Sequence, residues 1–270
     1  MAAKTILITG STDGIGKQAA LELATAGHKV IIHGRQEARC QATADWISRQ
    51  ADVRIEWVVG DFSSLQQVRQ MAGEINRRFQ HLNVLVNNAG VYEPQRRLSE
   101  DGYEITFAVN HLAHFLLTGL LLNLLFDHSP ARIVTVSSMA HASHLDFDNL
   151  QGETSYSGYG AYALSKLANI LFTFELARRL EGKPVQANCL HPGVISTKLL
   201  HAGWGVGGAD VSQGAQMLVY LATSSEVENI SGQYFSDYRI TEPAPVARNE
   251  QAAKKLWQIS EQLTGFRYPI

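Results

Sequence analysis

Strand-like apolar runs alternate with helical patterns along this chain of 270 residues. The runs cover residues 5–9, 29–33, 54–59, 84–87, 132–137, 186–191 and 232–235. Such alternation is typical of parallel sheets, because each parallel connection needs a crossover long enough to return along the sheet. Several runs are apolar throughout, which suits strands buried on both faces. We therefore predict an α/β fold, with a parallel sheet of about seven strands covered by helices on both faces.

A glycine-rich turn follows the first of these strands. Residues 9–16 read T-G-S-T-D-G-I-G and precede a helix-like stretch. Gly10, Gly14 and Gly16 would permit a tight turn, close approach of a phosphate and close packing of the helix. Backbone N–H groups and the positive end of the helix dipole favour a pyrophosphate at such a turn. The turn predicts a dinucleotide site, with an ordinary strand-to-helix turn as the alternative.

Composition and charge favour one soluble domain that acts on a small molecule. With 45% apolar residues the chain can build one large core, so we predict a single domain over residues 1–270. A net charge of -2 gives no general attraction to nucleic acid or to an anionic membrane. The apolar stretch 112–126 is too short for a membrane span, and residues 1–4 are too few for a signal peptide. Cys40 and Cys189 lack a metal or redox spacing, so we expect free thiols in the cytoplasm.

Two segments interrupt the alternation, near residues 139–161 and 198–212. Both follow strands, and ligands of open parallel sheets bind at the carboxyl ends of the strands. We expect these segments to form walls of a substrate site, with Trp204 as an apolar surface in the second one. The alternative is that both are surface loops without a function.

Tyr162 and Lys166 lie four residues apart in the sequence Y-A-L-S-K, at the start of a strong helical pattern. This spacing places both side chains on one face of a helix. An ammonium group beside a phenol stabilises the phenolate, which a tyrosine with an ordinary pKa of about 10 needs for proton exchange near neutral pH. The spacing alone also fits two unrelated residues on a helix surface.

Six motifs in a fixed order carry a resemblance to a known family. They are T-G-S-T-D-G-I-G, N-N-A-G at 87–90, F-A-V-N at 107–110, V-S-S at 136–138, Y-A-L-S-K, and H-P-G-V at 191–194. Together they resemble the short-chain dehydrogenase/reductase family, and residues 165–180 resemble its retinol dehydrogenase and WW-domain oxidoreductase branch. The resemblance implies a single-domain Rossmann fold with a doubly wound sheet. It also implies an oxidoreductase that interconverts a carbonyl and an alcohol by hydride transfer with a nicotinamide cofactor.

The resemblance assigns four residues to the chemistry. Tyr162 would be the general acid for carbonyl reduction or the general base for alcohol oxidation. Lys166 would lower the pKa of Tyr162 and bind the nicotinamide ribose. Ser138, rather than Ser137, would orient the substrate oxygen, and Asn110 would hold a water of the proton relay.

The residues after the second strand favour NADP(H), with NAD(H) as the alternative. Gly34 stands where an NAD-preferring member would carry an acidic residue, and Arg35 follows it. Arg35 can form a charge-assisted pair with a 2′-phosphate, and Ser11 could donate a hydroxyl to it. Asp13 argues against this choice, because some NADP-binding relatives carry a basic residue at its position.

Further cofactor contacts follow from the resemblance. Asp61, with Phe62 beside it, would meet the adenine, and residues 88–90 would pass beneath the adenine ribose. Residues 192–197 would close over the nicotinamide. The full predicted cofactor set is Gly10, Ser11, Asp13, Gly14, Ile15, Gly16, Arg35, Asp61, Phe62, Asn88, Ala89, Gly90, Tyr162, Lys166, Pro192, Gly193, Val194, Ile195 and Thr197.

The remaining expectations concern metals, partners and the competing function. The pairs His111 with His114 and His141 with His144 have no acidic or cysteine ligand at a zinc-like spacing, so we predict no metal. No G-x-S-x-G sequence of a serine hydrolase is present. The substrate is expected to be a small carbonyl or alcohol with an apolar body. The competing function is a catalytically silent dinucleotide-sensing regulatory or scaffold protein.

Self-association is also predicted. The helical stretches 106–126 and 161–180 are apolar over more of their circumference than contact with a sheet requires. Members of the family that the chain resembles commonly pair these two helices across a two-fold axis. We therefore expect a homodimer or homotetramer.

Overall fold

A computed structural model describes residues 3–127 and 130–270. Its sheet has eight strands in the order 3-2-1-4-5-6-7-8. They are β1 (Thr5–Ile8), β2 (Lys29–Gly34), β3 (Glu56–Val59), β4 (Val84–Asn87), β5 (Ala131–Val136), β6 (Val185–Leu190), β7 (Tyr234–Ser236) and β8 (Arg239–Ile240). Strands β1 to β7 pair in parallel. This order confirms the predicted doubly wound Rossmann sheet.

The eighth strand was not predicted. β8 pairs antiparallel with β7 through a two-residue turn at Asp237 and Tyr238, whose φ angles are 48° and 62°. Two-residue hairpin turns need positive φ angles, and glycine or asparagine usually signals them in a sequence. This turn has neither residue, and both residues of β8 are exposed. The sequence therefore carries no hairpin signal at this edge of the sheet.

Helices cover both faces of the sheet. They are α1 (Gly14–Thr25), α2 (Glu37–Ala51), α3 (Leu65–Arg78), α4 (Ile105–Phe107), α5 (Ala113–Leu120), α6 (Leu122–Phe126), α7 (Gly158–Arg179), α8 (Lys198–Trp204), α9 (Val211–Thr223) and α10 (Glu250–Thr264). Ile6 and Ile8 face the core under α1, α2 and α9, whereas Leu7 faces the core under α3, α5, α7 and α10. Successive residues of a strand point to opposite faces, so a strand buried on both faces is apolar throughout.

The predicted helix 106–126 is not continuous. After α4, residues Ala108–Leu112 form a π-helical turn, and α5 begins only at Ala113. A π-turn inserts one extra residue per turn and is frequent at functional sites. It shifts the face that α5 presents relative to α4, and it carries Asn110.

The C-terminal helix α10 covers the helices on which self-association was predicted. Trp257 is 2% exposed and packs against Phe115 and Phe172, with ring centroids 5.0 Å and 5.9 Å away. Tyr268, beyond the end of α10, packs on Trp257 with the two rings tilted and their centroids 4.5 Å apart, and it donates its hydroxyl to the Phe115 carbonyl. The apolar circumference of α5 and α7 is therefore buried within one chain. The predicted homodimer or homotetramer stays a prediction.

Among the residues that the structure describes, no helix is long and apolar enough to cross a membrane. Residues 1 and 2, from the short N-terminal stretch considered above, lie outside the described residues. Cys40 and Cys189 are both free and buried.

Trp257→Ala tests the role of α10. We expect it to lower the free energy of unfolding by about 3–5 kcal/mol, because truncation of a buried indole leaves a cavity. Urea unfolding followed by circular dichroism measures the change. Trp204→Ala is the control, since Trp204 is only half-buried, and it should cost much less. Equal losses in the two variants would show that Trp257 does not hold α10 in place.

Candidate active site

One large cavity of about 1250 Å³ lies along the carboxyl ends of the strands. It extends from the turn after β1 to the segment after β6. The strand order reverses between β1 and β4, and ligands of open α/β sheets bind at this switch point. A volume of this size exceeds that of an ordinary small-molecule pocket, so it can hold a dinucleotide together with a substrate.

The glycine-rich turn forms one end of the cavity. Gly10 has a φ of 62°, and a Cβ there would lie 2.7 Å from the Cα of Ala89. Gly14 has a φ of 53°, and its missing side chain keeps open the space between the turn and Thr197. Asp13 caps α1 by accepting a hydrogen bond from the Gly14 N–H at 2.9 Å. The next N–H groups of α1 have no partner within the helix, so the turn fits an anionic diphosphate.

Most of the predicted cofactor residues share this cavity. It is lined by Gly10, Asp13, Gly14, Ile15, Gly16, Arg35, Asp61, Phe62, Asn88, Ala89, Gly90, Pro192, Gly193, Val194, Ile195 and Thr197. Ser138, Tyr162 and Lys166 line it as well. The donor groups, the glycine turn and the size of the cavity all fit a nicotinamide dinucleotide.

Ser11 does not reach the cavity. Its side chain is fully buried, donates a hydrogen bond to the Ile8 carbonyl at 2.7 Å and accepts one from the His33 N–H at 2.9 Å. The hydroxyl is therefore committed to the backbone and is not available to a phosphate, contrary to the prediction. The next residue, Thr12, lines the cavity instead.

Asn110 is also placed behind the cavity wall. Its Oδ1 accepts from the Val91 N–H at 2.8 Å, and its Nδ2 donates to the Val91 carbonyl and to the Ser165 hydroxyl. Its own carbonyl accepts a hydrogen bond from His114 Nδ1 at 2.9 Å. The side-chain amide thus holds the backbone after β4 in place. The predicted role of Asn110 in holding a water stays a prediction.

Tyr162 and Lys166 lie on one face of α7, opposite the end of β5. Lys166 Nζ is 5.5 Å from the centroid of the Tyr162 ring and donates to the Val136 carbonyl at 3.1 Å. Ser138 follows β5, and its hydroxyl lies near enough to Tyr162 to lower the pKa of that tyrosine. The Ser137 hydroxyl instead donates to the Lys166 carbonyl at 2.7 Å. The two adjacent serines therefore differ in role, since one meets the tyrosine and the other anchors the helix.

Burial dominates the electrostatics of this pair. It raises the pKa of Tyr162 to about 12, and the hydrogen bond from Ser138 acts in the opposite direction. Burial likewise lowers the pKa of Lys166 to about 8. The lowered tyrosine pKa that was predicted from Lys166 is therefore not found here. Tyr162 carries its proton at neutral pH, which suits a proton donor in carbonyl reduction.

An aromatic cluster stands over the tyrosine. Trp204, at the end of α8, has its ring centroid 5.3 Å from that of Tyr162. Tyr92 lies 6.1 Å from Tyr162 and 5.6 Å from Trp204, and Tyr159 packs on Trp204 from outside at 6.1 Å. The segment 198–212, expected as a substrate wall, thus lies against the cavity through α8. Tyr92 was not singled out in the sequence, because a lone tyrosine after a strand carries no motif.

An ion cluster connects the glycine turn to α8. Lys198 Nζ lies 2.5 Å from Asp13 Oδ2, and Arg39 lies 3.4 Å from the same oxygen. The hydrogen bond from Lys198 is the main cause that lowers the pKa of Asp13. Neither Lys198 nor Arg39 was predicted, since both lie outside the motifs.

Three of the four histidines considered as metal ligands are engaged in hydrogen bonds. His111 Nε2 meets the Ser260 hydroxyl at 2.8 Å, and His114 Nε2 meets the Thr9 hydroxyl at 3.0 Å. His141 Nδ1 meets the Ser138 carbonyl at 2.7 Å. Residues 3–127 and 130–270 contain no group of three histidine, cysteine or acidic side chains that could hold a metal ion.

Comparison with known proteins decides the family. A model of the short chain dehydrogenase family matches residues 4–204. This chain is a short-chain dehydrogenase. Human retinol dehydrogenase 14 is 42% identical to it, over 98% of this chain and 87% of that protein. Bovine retinol dehydrogenase 12 is 39% identical over the same shares. The chain thus belongs to the retinol dehydrogenase-like branch of the family and is an NAD(P)-dependent oxidoreductase.

Solved structures agree with this short-chain dehydrogenase fold. An uncharacterised protein from Mycobacterium paratuberculosis superposes with a TM-score of 0.84, at 34% identity, over 100% of this chain and 96% of that one. A short-chain dehydrogenase from Escherichia coli CFT073, complexed with NADPH, gives a TM-score of 0.72 at 25% identity. That match covers 86% of this chain and 95% of the other.

Tyr162→Phe tests the proton donor. We expect turnover to fall at least ~100-fold, because general acid catalysis is lost while the ring and its packing remain. Nucleotide affinity, measured by fluorescence titration, should stay the same. Tyr159→Phe is the matched control on the same helix, since Tyr159 is 53% exposed and should keep full activity. Unchanged turnover in Tyr162→Phe would rule out its hydroxyl as the proton donor.

Proposed function

We propose that this protein is an NADP(H)-dependent oxidoreductase that interconverts an apolar aldehyde or ketone and the corresponding alcohol. One observation carries the proposal. A protonated Tyr162, paired with Ser138 and beside Lys166, opens into the same cavity as a glycine turn built for a diphosphate. The glycine turn and Arg35 would hold the diphosphate and adenosine of a dinucleotide in that cavity, and Tyr162 and Lys166 would lie beside its nicotinamide.

The bound cofactor would supply or accept the hydride, so the protein must position the carbonyl and stabilise the developing charge on its oxygen. Ser138 and Tyr162 both line the cavity, so a substrate oxygen placed between their hydroxyls would receive two donors. Tyr162 transfers its proton to that oxygen during reduction and accepts it during oxidation. Lys166 stabilises the resulting phenolate when it carries its charge, since an opposite charge nearby favours the ionised tyrosine.

Charge at the adenosine end supports the choice of NADP(H). Arg35 and Arg39 line the cavity there, and Gly34 leaves no carboxylate at the end of β2. Asp13, which argued against a 2′-phosphate, is paired with Lys198 and Arg39. These pairs are exposed and individually weak, but they offset the repulsion that a free carboxylate would exert. The related dehydrogenase from Escherichia coli holds NADPH.

The substrate side of the cavity supports an apolar substrate. Trp204 forms an aromatic wall beside Tyr162, and Tyr92 supports it by packing on both rings. Exposed apolar side chains extend that wall to the mouth of the cavity, among them Met139 and Val194. Apolar walls of this kind favour substrates by burial of hydrophobic area. Together with the retinol dehydrogenases among the relatives, they favour retinal, retinol or molecules of similar length.

We further propose a reducing compartment such as the cytoplasm. Burial raises the pKa of the Cys40 thiol to about 11 and that of Cys189 to about 12. Both groups therefore stay as unreactive thiols, and they form no disulfide.

Arg35→Ala tests the cofactor choice. We expect the Kd for NADPH to rise by about 10- to 100-fold, because a charge-assisted pair with the 2′-phosphate is lost. The Kd for NADH should change little, as measured by fluorescence titration of both nucleotides. Arg49→Ala, in the last turn of α2, is the control and should change neither value. A parallel loss for both nucleotides would refute a specific contact with the 2′-phosphate.

Turnover of a carbonyl panel with NADPH tests the substrate class. We expect retinal and other long apolar aldehydes to have higher kcat/KM than small ketones of a few carbons. Trp204→Ala should lower kcat/KM about tenfold for the long substrates and leave the small ones nearly unchanged, because it removes buried apolar contact. A preference for small or charged carbonyls would contradict the apolar site. Tight NADPH binding without turnover of any member of the panel would favour the dinucleotide sensor.

A further inference from the structure

A buried histidine lies beneath the nucleotide end of the cavity. His33 is the last residue but one of β2 and is 3% exposed, with its ring at the cavity wall. Its Nδ1 accepts a hydrogen bond from the Gly10 N–H at 3.0 Å, and its Nε2 lies 2.9 Å from the Gly60 carbonyl. The ring therefore bridges the turn after β1 and the residue that follows β3.

The two partners fix the protonation of the ring. A backbone N–H can only donate, so Nδ1 of His33 must be an unprotonated acceptor toward Gly10. A carbonyl can only accept, so Nε2 must carry the hydrogen toward Gly60. Both nitrogens are thus satisfied in the neutral ring, as a buried polar group requires. Burial lowers the pKa of His33 to about 4, which keeps the ring neutral at pH 7.

The backbone and the ring face of His33 are held as well. Its N–H donates to the Ser11 hydroxyl, and its carbonyl accepts from the Ser11 N–H, both at 2.9 Å. Phe62 stacks on the ring, with centroids 4.5 Å apart and an interplanar angle of 23°. The loops after β1 and β3 therefore converge on one side chain, which β2 carries.

We propose that His33 is a positioning residue for the adenosine half of the nucleotide. The proposal rests on the proposed function, since it requires a dinucleotide in this cavity. Gly10 holds a left-handed backbone conformation at the first bend of the turn, and its N–H is directed at His33. Without that acceptor a buried N–H loses its partner, and the turn relaxes away from the geometry in which its later N–H groups meet the diphosphate.

This role differs from that of Arg35 in its kinetic signature. His33 acts through Gly10 on the part of the nucleotide that NADPH and NADH share, so both cofactors should be affected equally. Tyr162, Lys166 and Ser138 belong to α7 and the end of β5 on the other side of the switch point. Loss of the His33 contacts should therefore raise the KM for the nucleotide and leave kcat at saturation unchanged.

The test compares His33→Ala with His33→Asn. The Oδ1 of asparagine is two bonds from Cβ, as Nδ1 of histidine is, so asparagine can still accept from Gly10 although it cannot reach Gly60. We expect the alanine variant to bind adenosine 2′,5′-bisphosphate, measured by isothermal titration calorimetry, roughly tenfold more weakly than wild type. The KM for NADPH and that for NADH should rise by the same factor. The asparagine variant should recover most of this loss.

His28→Ala is the matched control. His28 stands immediately before β2, and its Nδ1 accepts a hydrogen bond from the Lys4 N–H at 3.2 Å. The contact resembles that of His33 with Gly10, but it lies at the opposite edge of the sheet. The control should bind the bisphosphate as wild type does.

Four results would overturn the proposal. These are unchanged binding in the alanine variant, equal weakening in the His28 control, no recovery with asparagine, and a fall in kcat instead of a rise in KM. If the alanine variant does not fold, the asparagine variant alone tests the proposal. It should fold and bind the bisphosphate with an affinity close to that of the wild type. The proposed function fails separately, when the wild-type protein itself binds neither NADPH nor NADH.

Discussion

The close contact between the turn after β1 and the chain after β4 organises the whole site. At Gly10 the two segments approach so closely that a single Cβ would clash with the backbone of Ala89. The Thr9 hydroxyl closes this contact by accepting from the N–H groups of Asn88 and Ala89, each at 2.9 Å. With the polar groups of both loops satisfied by one another, the N–H groups at the start of α1 are left for a ligand. The shape of the cavity at its glycine-rich end is therefore determined mainly by packing of the backbone, and side chains such as Thr9 contribute less.

At the other end of the cavity, burial determines the pKa values of Tyr162 and Lys166. Tyr162 and Lys166 both lie in a poorly solvated wall, which favours the neutral form of each. A phenol that keeps its proton and an amine whose pKa is lowered therefore lie side by side. In the proposed reaction this pair would serve reduction and oxidation alike, and the ratio of reduced to oxidised cofactor would select the direction.

The positions of the strands and many cavity residues could be predicted because both depend on local sequence signals, whereas the doubly wound order followed from the family resemblance. Apolar runs marked β1 to β7, and the residues directly after them, such as Asp61 and Ser138, necessarily meet at one edge of a parallel sheet. Ser11 shows where such reasoning fails, since a turn motif does not specify which of two adjacent hydroxyls points inward. The π-turn at Asn110 and the pKa of Tyr162 depend on packing from distant segments, which no local pattern reports. The packing of Trp257 could not be predicted for the same reason, because its partners Phe115 and Phe172 lie about 142 and 85 positions away in the sequence.

The packing of α10 on α7 also affects how the protein folds during its synthesis. α7 carries Tyr162 and Lys166 on one side and packs against Trp257 through Phe172 on the other. Domains generally fold as units during synthesis. One side of α7 therefore stays uncovered until residues 250–268 have been translated. A nascent chain that lacks these residues should expose Phe172 and fall short of the native fold, so folding is completed only when the last helix has emerged.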